Sequence, residues 1–401
     1  MLIDIRNTLT LRYDPTIEVR SSVPKLDSDQ VKAKRNGTYP SSEEIEKELR
    51  NTISTAISKH NPKTISLALS TGIDSNLVLA LLRDEYPSLN IKCISVSFDE
   101  ASEATYAKKI AESKDTDFYN VTVDNPLKDL PFLISIVKEP RWNLYQYYFI
   151  EKSKKYSDIL FTGDGGDELF GGYTFRYTKF LKLFDEGDDW KQRVIHYLEC
   201  HERDWVPDQE KIFGENIKFD WSSIYLLLRA YFDNDLEPLD QVFLADYNGK
   251  LIYDFVPTNY KFFNYLGITG ISPILDNKII DMSLSIPPSV KFNKESNMGK
   301  IPLREILSGL DSKNVSDTKI GFGMDLKKLW TNSAKEIVIS TLSDASIFRD
   351  KIISSDFYDR SIRRIEETGD LRYISKMLQL LSLEIWYKMF ITFELSPKSS
   401  L

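Results

Sequence analysis

Residues 64–75 read Thr-Ile-Ser-Leu-Ala-Leu-Ser-Thr-Gly-Ile-Asp-Ser, and this stretch carries the strongest structural signal in the chain. Apolar residues alternate with small ones over 64–70, which predicts a short strand covered on both faces. A tight turn of small polar residues follows, and an amphipathic helix is predicted over 76–85. A strand, a small-residue loop and a helix N-terminus in succession form a geometry that holds phosphate groups.

Asp74 is unusual in such a loop, because a carboxylate beside a phosphate repels it unless a cation lies between them. We therefore interpret Asp74 as a Mg2+ ligand. Gly72 would let the backbone approach a ligand closely. The alternative is a capped helix after a core strand, where Ser, Thr and Asp are common without any ligand. This loop alone leaves both interpretations open.

The composition indicates an ordinary globular protein that is long enough, at 401 residues, for about two or three domains. The net charge is −8 and no long Lys/Arg block occurs, so no nucleic-acid partner is expected. Two cysteines exclude a disulfide framework and favour a reducing compartment. The N-terminus lacks the apolar core of a signal peptide, and charges interrupt the apolar stretch 377–391. We expect a cytoplasmic protein without a membrane span.

Four short apolar runs alternate with helical patterns in the first half of the chain. This alternation predicts an α/β fold, with a parallel sheet covered by helices on both faces. In such folds ligands lie at the carboxyl ends of the strands. The predicted strands are 64–70, 91–98, 118–123 and 158–162.

The rest of the chain has a different pattern. A short strand is predicted at 8–12 and a loop or linker at 31–42. From residue 174 onward helical periodicity dominates, and few stretches indicate strands. We therefore divide the chain into an N-terminal arm (1–45), an α/β core (46–173) and a mainly helical region (174–401) that completes the active site.

A second loop, residues 162–173, reads Thr-Gly-Asp-Gly-Gly-Asp-Glu-Leu-Phe-Gly-Gly-Tyr directly after a predicted strand. Each glycine costs up to about 1 kcal/mol relative to alanine where the backbone is fixed. Five glycines here make sense if the backbone passes close to a ligand. The acids Asp164, Asp167 and Glu168 would repel one another without a metal or a shared proton.

The first loop resembles the S-G-G-x-D-S loop of the ATP pyrophosphatases, with Thr71 at a position where that family has Gly. Followed about ninety residues later by G-D-G-G-D-E-L-F-G-G-Y, it is similar to the synthetase domain of class-B asparagine synthetases. The resemblance covers roughly residues 45–330. β-Lactam synthetases and lasso-peptide cyclases are similar in the same regions.

The resemblance implies an ATP-pyrophosphatase (adenine nucleotide alpha hydrolase-like) fold that uses ATP and Mg2+. Asp74 and Asp167 match the magnesium carboxylates, and Asp164 matches the base for the incoming amine. Lys319, in Thr-Lys-Ile-Gly-Phe-Gly (loop 319–323), matches the lysine that stabilises charge in both steps; a solvated loop residue is the alternative. Further matches are 272–276 and 299–304. The implied ATP-binding residues are Ala68, Ser70, Thr71, Gly72, Asp74, Ser75, Val96, Thr162 and Gly163.

Two departures from the family pattern affect the expected substrates. Position 2 is Leu, where the family's glutaminase domain starts with a nucleophilic Cys, so we do not expect glutamine hydrolysis. The nitrogen would come from free ammonia, from an amine, or from a separate glutaminase subunit. Charged residues of the family's substrate pocket are replaced here, which suggests a larger or less charged acid; a repacked helix end is the alternative. The replacing residues are Tyr260, Lys261, Thr269, Gly270 and Ile271.

The resulting expectation is an AMP-forming ligase that joins a small-molecule carboxylic acid to ammonia or an amine. By family, asparagine formation from aspartate is the default reaction. A specialised amide synthetase or cyclase acting on a different acid, in small-molecule or peptide biosynthesis, is an alternative. A further alternative is a nucleotide-binding subunit without catalytic activity, suggested by Thr71 and the altered pocket.

Overall fold

The computed structural model describes residues 3–19, 23–35, 37–98, 102–311 and 325–399. Within these residues, five parallel strands form one sheet in the order β3-β2-β1-β4-β5. The predicted α/β class and all four predicted strands are confirmed. The strands are β1 (Thr64–Ala68), β2 (Asn90–Ser97), β3 (Asp117–Thr122), β4 (Ile159–Phe161) and β5 (Thr269–Ile271).

Strand β1 lies at the centre of the sheet. Leu67 is paired with Cys93 of β2 on one side and with Phe161 of β4 on the other. The chain runs outward from β1 to β2 and β3 in one direction, and through β4 and β5 in the other. This reversal of strand order opens a crevice at the carboxyl ends of β1 and β4, which is where open α/β sheets bind ligands.

Helices cover both faces of the sheet, as predicted. In chain order they are α1 (Ile5–Leu11), α2 (Ser28–Arg35), α3 (Ser42–His60), α4 (Ile73–Glu85), α5 (Ser102–Ser113), α6 (Leu130–Val137), α7 (Gln146–Lys154), α8 (Gly166–Phe170), α9 (Thr174–Leu183), α10 (Trp190–Glu199), α11 (Trp221–Phe232), α12 (Pro238–Asp246), α13 (Val256–Leu266), α14 (Asn277–Ser285), α15 (Pro288–Lys291), α16 (Ile301–Leu310), α17 (Leu326–Leu329), α18 (Lys335–Leu342), α19 (Ser346–Arg349), α20 (Ser355–Thr368) and α21 (Leu371–Phe390). Gln209–Lys211 and Pro273–Leu275 are 3-10 turns, Tyr247–Phe255 and Trp330–Ala334 are π-helical, and β6 (Phe292–Asn293) pairs with β7 (Met298–Gly299).

The two faces of the sheet bury different parts of the chain. Ile65 and Leu67 pack into one apolar cluster together with α3, α4 and α16. The alternate residue Ser66 faces α7, where its hydroxyl donates to the Ser153 carbonyl. The second apolar cluster is built around α21 and includes Leu160 of β4. None of the helices in the described residues is long and apolar enough to cross a membrane.

The N-terminal arm is more helical than the sequence indicates. The strand predicted at 8–12 is wrong, because residues 5–11 form α1. Asp4 caps this helix by accepting from the Arg6 N–H at 2.9 Å. Residues 31–35 of the predicted linker belong to helix α2, and Asp27 and Gln30 cap the first turn of this helix reciprocally at 2.8 Å each.

The mainly helical region contributes one strand of the sheet, β5, that was not predicted from the sequence. Strand β5 pairs with β4, and the Thr162 N–H donates to the Ile271 carbonyl at 2.9 Å. Only three residues long, β5 is too short to show an alternating pattern. Helix α12 continues directly into the π-helix Tyr247–Phe255. The division of the chain at residues 45 and 173 stays a prediction.

Candidate active site

The loop after β1 is held in shape by its own hydroxyl groups. The Ser70 N–H donates to Ser75 Oγ at 3.1 Å, and the Gly72 N–H donates to Ser70 Oγ at 3.1 Å. Helix α4 begins at Ile73, three residues earlier than predicted, so Asp74 and Ser75 lie in its first turn. Gly72 is the N-cap and offers no side chain to the helix terminus. The positive end of the helix dipole faces the crevice.

The glycine-rich loop after β4 packs directly against this first loop. A Cβ atom added at Gly163 would lie 2.7 Å from the Ser75 nitrogen, closer than real Cβ contacts. One added at Gly166 would overlap the Asp74 carboxylate. Gly165 has φ +94°, a conformation that other residues rarely adopt. The glycines thus allow the two loops to meet at one edge of the sheet.

Lys300 connects the two predicted magnesium ligands. Its Nζ atom donates to Asp74 Oδ2 at 2.5 Å and lies 2.7 Å from Asp167 Oδ1. Burial by itself lowers the pKa of Lys300, but Asp167 and Asp74 outweigh that effect and raise it. The ammonium is therefore charged, and the two carboxylates lie close enough to share one cation.

The backbone places Lys300 at this point. The residue precedes α16 with φ 58°, and its N–H donates to the Phe170 carbonyl at 3.0 Å. Lys300 lies within the matched stretch 299–304, but no role was predicted for it. The local sequence shows only a lysine directly before a helix that begins Ile-Pro. This pattern does not by itself indicate which residues Lys300 contacts.

A cavity of about 330 Å3 lies at this edge of the sheet. The predicted ATP-binding residues line it with one exception, and Asp164 and Asp167 line it as well. The exception is Thr71, whose hydroxyl donates to Glu103 Oε1 at 3.3 Å. The predicted residues in the lining are Ala68, Ser70, Gly72, Asp74, Ser75, Val96, Thr162 and Gly163.

Asp164 is a partly buried acid in the cavity lining and holds two hydrogen bonds on one oxygen. Thr162 Oγ1 and Asn259 Nδ2 each donate to its Oδ2 atom at 2.9 Å. Burial raises the pKa of Asp164, these two donors lower it, and Asp74 raises it, with a net increase. A carboxylate with a raised pKa accepts a proton more readily, which suits a general base. Asn259 was not singled out from the sequence.

Glu168 is a second buried acid in the glycine-rich loop. Burial and the Asp167 carboxylate raise its pKa to about 7, although the Tyr173 hydroxyl donates to it at 2.5 Å and lowers the value. Glu168 therefore carries a proton for part of the time near neutral pH. Its carboxyl group is engaged by Tyr173, which makes it a structural link between α8 and α9.

The five residues expected to shape the substrate pocket lie elsewhere, so this prediction is wrong. Tyr260 is 51% exposed, and the Lys261 ammonium donates to the Val137 carbonyl at 2.6 Å. Thr269, Gly270 and Ile271 form β5. The described lining of the cavity instead includes Tyr145, Gln146, Phe149, Leu251, Phe255 and Asn259.

Lys319 and the loop 319–323 lie outside the described residues. Among the residues that are described, no group of three or more His, Cys, Asp or Glu side chains could hold a metal. Two carboxylates that converge on one ammonium nevertheless fit magnesium, which binds through one or two carboxylates together with substrate phosphates.

A parallel sheet with two phosphate-type loops at its central crevice, and paired carboxylates between them, defines an α/β protein of the ATP-pyrophosphatase type. A family model described as asparagine synthase matches residues 44–388. The chain belongs to the asparagine synthase family. Members of this family use ATP.

Individual relatives show the same likeness at low identity. The chain is 23% identical to glutamine-hydrolyzing asparagine synthetase 1 of Bacillus subtilis (strain 168) over 352 residues, 78% of this chain and 55% of the relative. A probable asparagine synthetase of Acanthamoeba polyphaga mimivirus is 23% identical over 172 residues, 40% of this chain and 30% of the relative. A putative one of Mycobacterium bovis is 30% identical over 128 residues, 30% of this chain and 20% of the relative. The chain spans about half the length of the Bacillus protein.

Proposed function

We propose that this protein is an ATP-dependent, AMP-forming amide synthetase. It adenylates a small-molecule carboxylic acid and transfers the acyl group to ammonia or an amine, in the cytoplasm. The observation that carries the proposal is the convergence of Asp74, Asp167 and Lys300 at the crevice between β1 and β4. Burying such a charge cluster in a water-free core is unfavourable. A triphosphate and its metal, in contrast, require charged groups of this kind.

The nucleotide occupies the cavity with its base near β2 and its phosphates at α4. Ala68 and Val96 supply an apolar slot for adenine. Gln146 is buried in the same lining, and its Oε1 atom has no partner among the described residues. A buried acceptor of this kind fits the exocyclic amino group of adenine. The phosphates lie against Ser70, Gly72 and Ser75.

Adenylation forms one bond and breaks another. A carboxylate oxygen of the acid attacks the α-phosphorus of ATP, and the bond from that phosphorus to the β,γ-pyrophosphate breaks. Asp74 and Asp167 would hold magnesium, which when bound supplies positive charge for the leaving pyrophosphate. Lys300 adds a fixed positive charge at the same place. Lys319 is proposed to supply a further one.

Amide formation consumes the acyl-adenylate. The nitrogen of ammonia or of the amine attacks the acyl carbon, and the carbon–oxygen bond to AMP breaks. The proton that the nitrogen loses goes to Asp164, whose raised pKa suits it to receive one. A separate glutaminase subunit is one source of the ammonia.

The test is acid-dependent release of pyrophosphate from Mg-ATP, with ammonia present and a broad panel of acids. We expect at least one acid to stimulate release and to yield AMP and an amide in equal amounts. Asp167→Ala should abolish this activity, and Asp359→Ala, at an exposed position of α20, should retain it. ATP hydrolysis to ADP, or ATP binding without turnover on any acid, would contradict the proposal. The second outcome is what a nucleotide-binding subunit without catalytic activity would give.

A further inference from the structure

A second, smaller cavity of about 20 Å3 lies where α2 of the N-terminal arm meets α8, α12, α14 and α15. Glu168 lines both this cavity and the candidate active site. A cavity needs about 10–15 Å3 to hold a water molecule, so this one admits a particle of that size and no nucleotide. Its described lining contains four charged side chains, which are Arg35, Glu168, Asp240 and Lys291.

Lys291, the last residue of α15, is buried in this lining without a polar partner. The residue is 3% exposed, and its Nζ atom makes no hydrogen bond or ion pair with any described residue. The ammonium lies 5.4 Å from the ring centroid of Phe243. Lysine is almost never buried this deeply unless it is paired. The side chain therefore lacks an acceptor.

The surroundings of Lys291 also act on its charge. Burial lowers the pKa of Lys291, Asp240 raises it and Arg35 lowers it, with a net decrease. The single carboxylate of Asp240 is thus too little to hold the ammonium charged as firmly as in water. A further negative charge in the cavity would restore that charge.

Arg35, the last residue of α2, brings a second set of unused donors. Its Nη2 atom donates to Asp240, whereas its Nε and Nη1 atoms are buried and have no hydrogen-bond partner. Buried N–H groups are nearly always bonded. The groups without partners around this cavity are therefore all donors, and both side chains that carry them are cationic when protonated.

The charges of the lining leave one positive charge uncompensated. Asp240 balances one of the two cations, Arg35 and Lys291. Glu168 accepts from the Tyr173 hydroxyl at 2.5 Å and makes no ion pair with either cation in the described structure. A water molecule would accept hydrogen bonds from the donors but would not balance the charge, which is costly in a buried place. An anion does both.

We infer that a small monovalent anion of about the size of chloride binds in this cavity, between the Lys291 ammonium and the Arg35 guanidinium. The bound anion links α2 of the N-terminal arm to α15, in addition to the ion pair of Arg35 with Asp240 of α12. The site contains none of the groups proposed to bind magnesium or to accept the proton, so it does not depend on the proposed function.

Chloride titration at constant ionic strength tests for this site. Chloride replaces gluconate, an organic anion too large for the cavity, so that general screening by salt stays the same. We expect the chloride NMR resonance to show excess broadening in the presence of the protein. The Tm of the protein should rise by about 2 °C and level off as the site fills. A parent protein with no saturable response to chloride would hold water only and would overturn the inference.

Lys291→Met removes the ammonium and keeps a side chain of similar shape. We expect the variant to fold, because replacing buried charge by an apolar group is often neutral or stabilising. Its Tm should not respond to chloride, and the excess NMR broadening should fall at least about tenfold. Lys294→Met, at an exposed position, should respond like the parent. A chloride response that persists in Lys291→Met would refute the assignment.

Diffraction from parent crystals soaked in bromide locates the ion without any substitution. The anomalous peak is expected between the side chains of Arg35 and Lys291. Bromide sites found only elsewhere on the protein would overturn the inference.

Discussion

The Nζ atom of Lys300 donates to Asp74 Oδ2 at 2.5 Å, although the two residues are 226 positions apart in the chain. The contact joins the start of α16 to the first turn of α4, and Asp167 completes the cluster. The ammonium occupies the place between two carboxylates where a cation is required, because like charges at this distance would otherwise repel.

Without the Lys300 ammonium, the carboxylates of Asp74 and Asp167 should repel each other. Lys300→Ala is expected to lower the free energy of unfolding by about 3–5 kcal/mol in metal-free buffer. Millimolar Mg2+ should recover part of the loss, because it can take the same place. Urea denaturation with and without Mg2+ measures both effects. Lys294→Ala, at an exposed position of the nearby hairpin, should stay within about 0.5 kcal/mol of the parent. Equal stability of Lys300→Ala and parent would contradict the cluster.

The close approach of the two loops gives a steric prediction. Gly166→Ala places a methyl group on the Asp74 carboxylate, so the carboxylate must move. We expect ATP binding to weaken at least about tenfold, because a displaced carboxylate loses its alignment with the phosphates. Isothermal titration calorimetry measures the change.

The control for this substitution is Gly309→Ala. Gly309 lies within α16 with no atom within 4 Å of its added Cβ. Alanine there should raise helix stability by up to about 1 kcal/mol and leave ATP binding unchanged. The steric argument would be refuted by equal ATP affinities for the two variants.

A substitution at Asp164 should affect the two half-reactions, adenylation and amide formation, to different extents. Asp164→Asn keeps the shape of the side chain but cannot accept the proton from the nitrogen donor. We expect amide formation to fall about 10²–10⁴-fold, with ATP–pyrophosphate exchange within about tenfold of the parent. In the parent, amide formation should rise with pH as Asp164, whose pKa is raised, loses its proton.

The matched control is Asp158→Asn, at the amino end of β4 and 78% exposed at its side chain. It should leave both half-reactions unchanged. A parallel loss of exchange and amide formation in Asp164→Asn would place Asp164 in substrate binding and not in proton transfer.

A buried lysine far from the site predicts the pH dependence of stability. The pKa of Lys376 is lowered from 10.5 to about 7, because burial and Arg12 lower it more than Asp204 raises it. Between these two values the unfolded chain binds the proton that the folded protein lacks. Stability should therefore rise with pH over that range, by up to about 1.4 kcal/mol per unit from this residue.

Lys376→Met tests the contribution by the slope of stability against pH. The variant should show a flatter rise between about pH 7 and pH 10 than the parent, whatever its absolute stability. Lys398→Met, at an exposed position, should keep the slope of the parent. Urea denaturation at several pH values measures it, and identical slopes in all three proteins would contradict a neutral buried Lys376.

The features that the sequence predicted well are local ones. The loop at 70–75 and the glycine-rich loop each combine turn-forming residues and acids within a few positions, and each follows a buried strand. Such chemistry is visible in a short window, so both loops and their position at the sheet edge were predictable. The two loops contact each other because the strands that precede them, β1 and β4, are neighbours in the sheet.

The features that were missed depend on distant parts of the chain. Asn259 reaches Asp164 from 95 positions away in the sequence, and Lys300 reaches Asp74 from 226 positions away. The sequence around these two residues does not indicate that either belongs to the site. Helix α1 was interpreted as a strand because Thr-Leu-Thr-Leu alternates, whereas the Thr8 and Thr10 hydroxyls bond to carbonyls four residues earlier. Local side-chain bonds of this kind override β-propensity.

The contact between Tyr13 and Gly249 restricts which substitutions the protein can accept at these two positions. Because a residue of the first segment occupies the space that a side chain at position 249 would need, the two sites cannot vary independently. A bulkier residue at 249 would have to be accompanied by a smaller one at 13. A substitution at Tyr13 would thus change the packing of a helix that carries cavity residues, although Tyr13 itself is not in the cavity lining.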